Sequence, residues 1–373
     1  MSVRKKRIVV KAGSSSLTNQ ERGYDESKLD AVVSSLTRLR EQGHDVLFVS
    51  SGAVASGYQK LGYKERPRTL AAKQAAAAVG QSILMQQYSY LFAQNKIPVA
   101  QILLTRDDFS DRERYQHAFQ TISLLLSRGV LPIINENDTV SVAELTFGDN
   151  DMLGALVSGL VHADLYIMLT DTNGFYDGDP RKLKTAKRIP SIEEVTPEML
   201  ELAGGAGSLG TGGMRSKLLA ANVTSNLGIP SFIGLAKGSD GLIEILNGNG
   251  NGTYVASRKA DKAESVPNRK QWIALHSPSN GKVVVDDGAA DAILNCGRSL
   301  LPAGVKVAEG SFASGEVVDV YWNDQRIGRG ICRYEASELQ NYLLNPDHGS
   351  LSKAVIHRDD WMAVHSFSPI VLR

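Results

Sequence analysis

Cysteine is nearly absent from this chain: two in 373 residues, Cys296 and Cys332, with no metal-ligand spacing. That excludes a disulfide framework and a thiolate metal centre, and it suits a reducing, cytoplasmic setting. Long hydrophobic runs are missing too. Nowhere do 18 apolar residues follow one another, so no membrane-spanning helix is expected. The basic flank Arg4-Lys5-Lys6-Arg7 precedes only Ile8-Val9-Val10 before Lys11 interrupts, so no secretion signal is expected either. Charge of one sign is also lacking, with 41 Lys plus Arg against 40 Asp plus Glu and a net charge of +1. No global field steers the protein toward nucleic acid or an anionic membrane, so an anionic ligand has to be caught by local features.

What remains is an ordinary globular composition long enough for two or three domains. From residue 7 to about 235, short β-branched runs alternate with longer amphipathic segments. This is the signature of an α/β domain with an open, largely parallel sheet sandwiched by helices. Strands are expected at 8–10, 46–49, 97–104, 130–134, 165–169 and 230–233, and helices at 26–42, 67–94, 111–128, 149–162 and 213–227. The alanine-rich stretch 70–79 fits a close helix–helix contact and equally a strong helix former. Alternating Asn and Gly at 247–252 read as a turn, with a domain boundary close by. Beyond it, strand-like runs at 272–275, 282–285, 317–322 and 326–332 and a helical stretch at 288–296 predict a small β-rich domain.

Several strand ends carry chemistry. Gly210-Thr211-Gly212-Gly213-Met214-Arg215-Ser216-Lys217 sets free backbone N–H groups and a mobile cation at a helix start, which suits a polyphosphate. The spacing is not that of a P-loop, and taken alone the run is equally a flexible surface loop. The first strand runs into Lys11-Ala12-Gly13-Ser14-Ser15, pointing a cation and amides toward the crevice where ligands of open parallel sheets collect. A solvated strand-end lysine would look the same. The second strand ends in Ser50-Ser51-Gly52-Ala53, a second nest for an anion or simply a tight strand–helix turn. Asn135-Glu136-Asn137-Asp138 and Gly148-Asp149-Asn150-Asp151 offer carboxylates and amides that can grip a zwitterionic amino acid. Asp149 reads first as a helix N-cap, and Asp151 as a carboxylate that orients lysines. Thr170 and Asp171 at a strand end suit ribose and adenine, or an Asx turn. Phosphoryl transfer without a P-loop lysine needs cations on both sides of the transferred group and a nucleotide-borne Mg²⁺, with Lys11 and Lys217 as the candidate cations.

Lys11-Ala12-Gly13-Ser14-Ser15, Ser51-Gly52-Ala53, Thr105-Arg106-Asp107-Asp108, Ile133 to Asp138, Phe147 to Asp151 and Gly210 to Met214 together resemble the glutamate-phosphorylating branch of the amino acid kinase family. Asp286-Asp287-Gly288-Ala289, Ser299 to Val305 and Gly328-Arg329-Gly330 look like the PUA domain fused to many of these kinases. The resemblance implies an amino acid kinase domain over 1–255, a linker over 256–276, a PUA domain over 277–360 and a tail over 361–373. It implies ATP with Mg²⁺ as phosphoryl donor, the γ-carboxylate of L-glutamate as acceptor, proline as inhibitor, a homo-oligomer (dimer or tetramer) and a reductase as next partner. Lys11, Lys217 and Asp151 would be catalytic. Ser51, Gly52, Ala53, Asn135, Asp138, Asp149 and Asn150 would hold glutamate. Lys11, Ser14, Thr170, Asp171, Thr211, Gly212, Gly213, Met214, Arg215, Ser216 and Lys217 would hold ATP.

Two alternatives stand beside this. The acceptor could be N-acetylglutamate, aspartate, carbamate or UMP, although acidic groups in the acceptor site favour a free amino acid. The PUA-like tail could bind RNA, yet residues 281–373 carry nine Lys plus Arg against twelve Asp plus Glu, net −3, leaving only a local cluster of Arg326, Arg329 and Arg333.

Overall fold

A computed structural model describes residues 4–19, 23–141, 150–180, 182–183, 185–204, 213–257, 279–344, 351 and 353–363. The chain divides into two compact units, residues 1–108 with 113–265, and residues 109–112 with 266–373.

The first unit is built on an eight-stranded sheet. Its strands are β1 (Arg7–Ala12), β2 (Asp45–Val49), β3 (Val99–Leu104), β4 (Leu131–Glu136), β5 (Leu165–Leu169), β6 (Ser191–Ile192), β7 (Ser231–Leu235) and β8 (Asn251–Val255), in the order β6-β8-β7-β5-β1-β2-β4-β3. All neighbours are parallel except β7 and β8. Parallel neighbours need crossovers, and the helices α1 (Glu26–Glu41), α2 (Ala53–Gly57), α3 (Leu70–Ala93), α4 (Arg112–Ser127), α5 (Asn150–Leu160) and α6 (Met214–Asn226) run in the connections. Central strands covered on both faces must be apolar throughout, which is why Ile8, Val9, Val10, Leu47, Phe48 and Ile167 have no exposed surface. The expected strands and helices match these elements within a few residues. The strand at 251–255 went unseen because Asn251 and Gly252 carry turn chemistry; in the structure Gly252 lies opposite Gly234, where a Cβ would meet the Phe232 ring and the Ile233 carbonyl.

The alanine-rich helix makes a close contact. A Cβ on Gly80 would sit 1.8 Å from the Ala53 carbonyl oxygen, and one on Gly57 would sit 2.0 Å from that of Ala76. Backbones of α2 and α3 therefore touch, which only glycine permits at these two positions.

The second unit holds a five-stranded sheet of β9 (Gly281–Val285), β10 (Val305–Gly310), β11 (Val317–Trp322), β12 (Gln325–Cys332) and β13 (Ile356–Ala363), ordered β10-β9-β11-β12-β13. Only β9 and β11 are parallel. Val283, Val318, Val320, Ile356 and Leu339 are central to its core. Sequence patterning found β9, β11, β12 and the helix Asp287–Leu294. It missed β10, four of whose six residues are exposed, the helix Ala336–Leu344, and β13, which crosses the expected boundary at residue 360. The run 272–275 and most of the linker lie outside the described residues. No helix among the described residues is long and apolar enough to cross a membrane.

Candidate active site

Register brings the chemistry to one edge. Lys11 of β1 lies level with Val49 of β2 and Met168 of β5, so the chain leaves these strands side by side. The Ser50 amide continues the ladder to the Ile134 carbonyl at 2.8 Å, and the Thr170 amide reaches the Gly234 carbonyl at 3.0 Å. Ser50-Ser51, Asn135 and Thr170 therefore line up with Lys11 along the carboxyl edge of the sheet, where open α/β folds bind ligands.

The centre of this edge is a buried ion triad. Asp151, on the first turn of α5, has no exposed surface; its Oδ1 lies 2.6 Å from Lys11 Nζ and its Oδ2 lies 2.9 Å from Lys217 Nζ. Both lysines are themselves buried, Lys11 to 3% and Lys217 to 5% exposure. Ser216 donates to Asp151 Oδ2 at 3.3 Å, and the Tyr166 hydroxyl donates to the Asp151 carbonyl at 2.8 Å, fixing the base of α5. Burial pushes the Asp151 carboxyl up, but the two ammonium groups outweigh it and hold the group below the usual carboxylate range. One carboxylate between two cations leaves a net positive charge in a desolvated place. The lysine ends also hold one another's spacing through that carboxylate, from a strand end and a helix start far apart in sequence.

Beside the triad lies an amide cluster. Asn150 Nδ2 donates to the Ser50 carbonyl at 2.5 Å, to Asn135 Oδ1 at 2.7 Å and to Ser51 Oγ at 3.0 Å. Since Ser51 Oγ accepts, its own proton is available to an anion. Gly52 follows in the left-handed region at φ +99°, which turns the chain from β2 into α2 at Ala53. Asn135 Oδ1 also accepts from the Glu136 amide at 2.9 Å, and Ser141 donates to the buried Glu136 carboxylate at 2.8 Å. Asp138 is pushed up to about 6, by burial first and by the nearby Glu136 charge second, with Arg66 opposing.

The structure thus brings Lys11, Asp151, Ser216 and Lys217 into one group and Ser51, Asn135 and Asn150 into a second. Lys11 Nζ lies 3.5 Å from where a Gly13 Cβ would stand, so the Gly13-Ser14 turn passes under the ammonium group. Thr170 and Asp171 are bonded to each other at 3.2 Å just past β5. Gly213 caps α6 in an extended conformation; Met214 is half-buried and Arg215 exposed. Asp149, Thr211 and Gly212 lie outside the described residues. Sequence reasoning missed Gln81 of α3, which accepts from Asn135 Nδ2 at 2.9 Å. The signal was present: Ala77, Gln81, Leu84 and Tyr88 form one stripe at helical spacing, and three of the four are buried hydrophobics. In the second unit, Arg326 and Arg329 both face Asp319, at 3.4 and 2.9 Å, and Arg333 faces Asp360 at 3.5 Å, so the arginine cluster is paired with carboxylates rather than free for phosphates.

Residues 6–234 match the model of the amino acid kinase family, and residues 281–345 match that of the PUA domain. Glutamate 5-kinase 1 of Bacillus licheniformis is 53% identical over 366 residues, covering 97% of this chain and all of the relative. Glutamate 5-kinase 1 of Bacillus subtilis is 50% identical over the same length. Among solved structures, a carbamate kinase from Giardia lamblia bound to AMP-PNP overlays 69% of this chain with a TM-score of 0.50 at 18% identity, a likeness of fold. With a family model spanning most of its length and relatives at half identity from end to end, the chain belongs to the amino acid kinase family.

Proposed function

We propose that the protein transfers the γ-phosphoryl group of ATP to the γ-carboxylate of L-glutamate, giving L-glutamyl 5-phosphate and ADP. The observation that carries this reading is the pair of buried lysines braced by Asp151 at the carboxyl edge of the sheet. A carboxylate oxygen of glutamate attacks the γ-phosphorus, and the bond to the β,γ-bridging oxygen breaks. The acceptor is already ionised at neutral pH, so the site needs no strong base. It needs charge neutralisation from both sides of the moving group, which Lys11 and Lys217 supply, and fixed spacing between them, which Asp151 supplies. Ser51, Asn135, Asn150 and Asp138 would hold glutamate, with Asp138 accepting from its ammonium group. Ser14, Thr170, Asp171 and the α6 start at Gly213 to Lys217 would hold ATP; Gly52, Ala53, Asp149, Thr211 and Gly212 complete the two subsites.

Mg²⁺ bound with the nucleotide would supply further neutralisation across its phosphates. Relatives named glutamate 5-kinase support glutamate as acceptor. Entry into proline synthesis, proline as inhibitor, a homo-oligomer and hand-over of the acyl phosphate to a reductase extend the same reading, as does action in the cytoplasm, which two free cysteines suit.

The test is ATP- and Mg²⁺-dependent hydroxamate formation from L-glutamate in hydroxylamine, with N-acetylglutamate and L-aspartate in parallel. Hydroxamate from glutamate alone is expected. Turnover with another acceptor and none with glutamate would overturn the assignment.

A further inference from the structure

The amide cluster extends away from the reacting groups into a relay whose far members no motif announces. Gln81 Nε2, on α3, donates to Gln101 Oε1 on β3 at 3.2 Å. Gln81 Oε1 accepts from Asn135 Nδ2 at 2.9 Å. Asn135 Oδ1 then accepts from Asn150 Nδ2 at 2.7 Å. The direction of such a relay is fixed by groups that have only one role. Two such groups are present. The Glu136 backbone N–H can only donate, which makes the Asn135 atom facing it an oxygen, and the Ser50 carbonyl can only accept, which makes the Asn150 atom facing it a nitrogen. The direction of every bond in the relay follows from these two ends.

Asn135 is fixed on its oxygen side by Glu136 and Asn150. Its nitrogen side is bonded to Gln81, and that contact uses one of two amide hydrogens. Without Gln81 the side-chain amide would pivot about its oxygen, and the second hydrogen would have no set direction. We propose that Gln81 is a positioning residue: by accepting from Asn135 Nδ2 it aims the second hydrogen of that amide at the α-carboxylate of bound glutamate. This rests on the acceptor assigned above. Gln101 in turn keeps the Gln81 oxygen facing Asn135 by accepting a hydrogen bond from the Gln81 nitrogen. Position 81 therefore needs an acceptor oxygen at that reach and nothing else of glutamine's chemistry near the substrate.

Two near-isosteric variants separate this role from packing. Gln81→Met fills the same space without an acceptor oxygen, whereas Gln81→Glu keeps the oxygen facing Asn135 and presents a second acceptor in place of the donor that faces Gln101. Steady-state kinetics of the full chain with glutamate and with ATP are measured for both beside the wild-type protein, together with melting temperatures. The Met variant is expected to raise KM for glutamate about tenfold, the scale of one unsatisfied buried polar group, while kcat and KM for ATP stay within about twofold. The Glu variant is expected to recover most of the glutamate KM. A glutamate KM unchanged in Gln81→Met, or equal losses in both variants, or parallel changes in kcat and KM for ATP, would overturn the proposal. Wild-type protein that fails to phosphorylate glutamate would instead overturn the acceptor assignment, so the two failures are told apart in one experiment.

Discussion

Replacing Asp151 by asparagine removes one negative charge and little else, and it leaves two buried ammonium groups facing an amide. In the native protein the carboxylate lies 2.6 Å from Lys11 Nζ and 2.9 Å from Lys217 Nζ, with all three side chains almost wholly out of water. Taking one partner from a buried ion pair costs about 3–5 kcal/mol, because the remaining charge stays desolvated. For a unit of this size each kcal/mol moves the unfolding temperature by about 2–4 °C, so a fall of roughly 6–20 °C is expected. A non-hydrolysable ATP analogue returns negative charge to the lysines and should stabilise the variant more than the wild type. Thermal unfolding followed by circular dichroism, with and without the analogue, reads both effects. A variant that melts within 2 °C of wild type would refute a carboxylate brace.

Other consequences can be measured on the same protein. Asp138 must be ionised to accept an ammonium group, so kcat/KM for glutamate should fall as pH drops below about 6, and Asp138→Asn should abolish that acid limb while raising KM; a limb that survives the substitution assigns it elsewhere. Because the folded pKa of Asp138 is raised from 3.8, the stability linked to its proton is present at low pH and lost as pH rises through about 6. Asp138→Asn should accordingly melt higher than wild type at pH 7 without ligand, and an equal or lower melting point counts against the buried charge. Gly80→Ala puts a methyl group 1.8 Å from the Ala53 carbonyl oxygen where ordinary contact begins near 3.4 Å, so α2 must retreat by about 1.6 Å. A lowered melting temperature and a glutamate KM raised at least tenfold are expected, and wild-type kinetics would mean that the helices separate without moving the Ser51-Gly52 turn.

Much of the first unit was legible because its strands are continuous apolar runs and its reactive residues stand at their ends. Lys11 was found as the residue after Ile8-Val9-Val10, and Lys217 by the glycines before it. Their burial was not legible, since a strand-end lysine is solvated unless a carboxylate meets it, and Asp151 is 140 positions away from Lys11. Asp151 itself read two ways until both lysines were seen on it. Gln81 stood on an apolar stripe with no partner near in sequence; the residue it holds is 54 positions on. The close crossing of α2 and α3 was undecided because Ala and Gly also serve as plain helix residues, and only the second helix's backbone makes Gly80 obligatory. In the second unit, β10 and β13 alternate too weakly to announce themselves, and their pairing with β9 and β12 is what makes them strands.

The strand order sets a schedule for synthesis. Among the described residues β6 pairs with β8 alone, and β8 reaches the sheet through β7, so residues 191–192 have no strand partner until residues 251–255 have been made. At about 5–20 residues per second, a growing chain carries that segment unpaired for roughly 3–12 s. β5 likewise presents an open parallel edge until β7 arrives. The antiparallel β8, five residues long, is the piece that closes the advancing edge. A ribosome pause just after residue 192 would prolong the exposed interval, whereas one placed after residue 255 has left the tunnel would find the sheet already sealed.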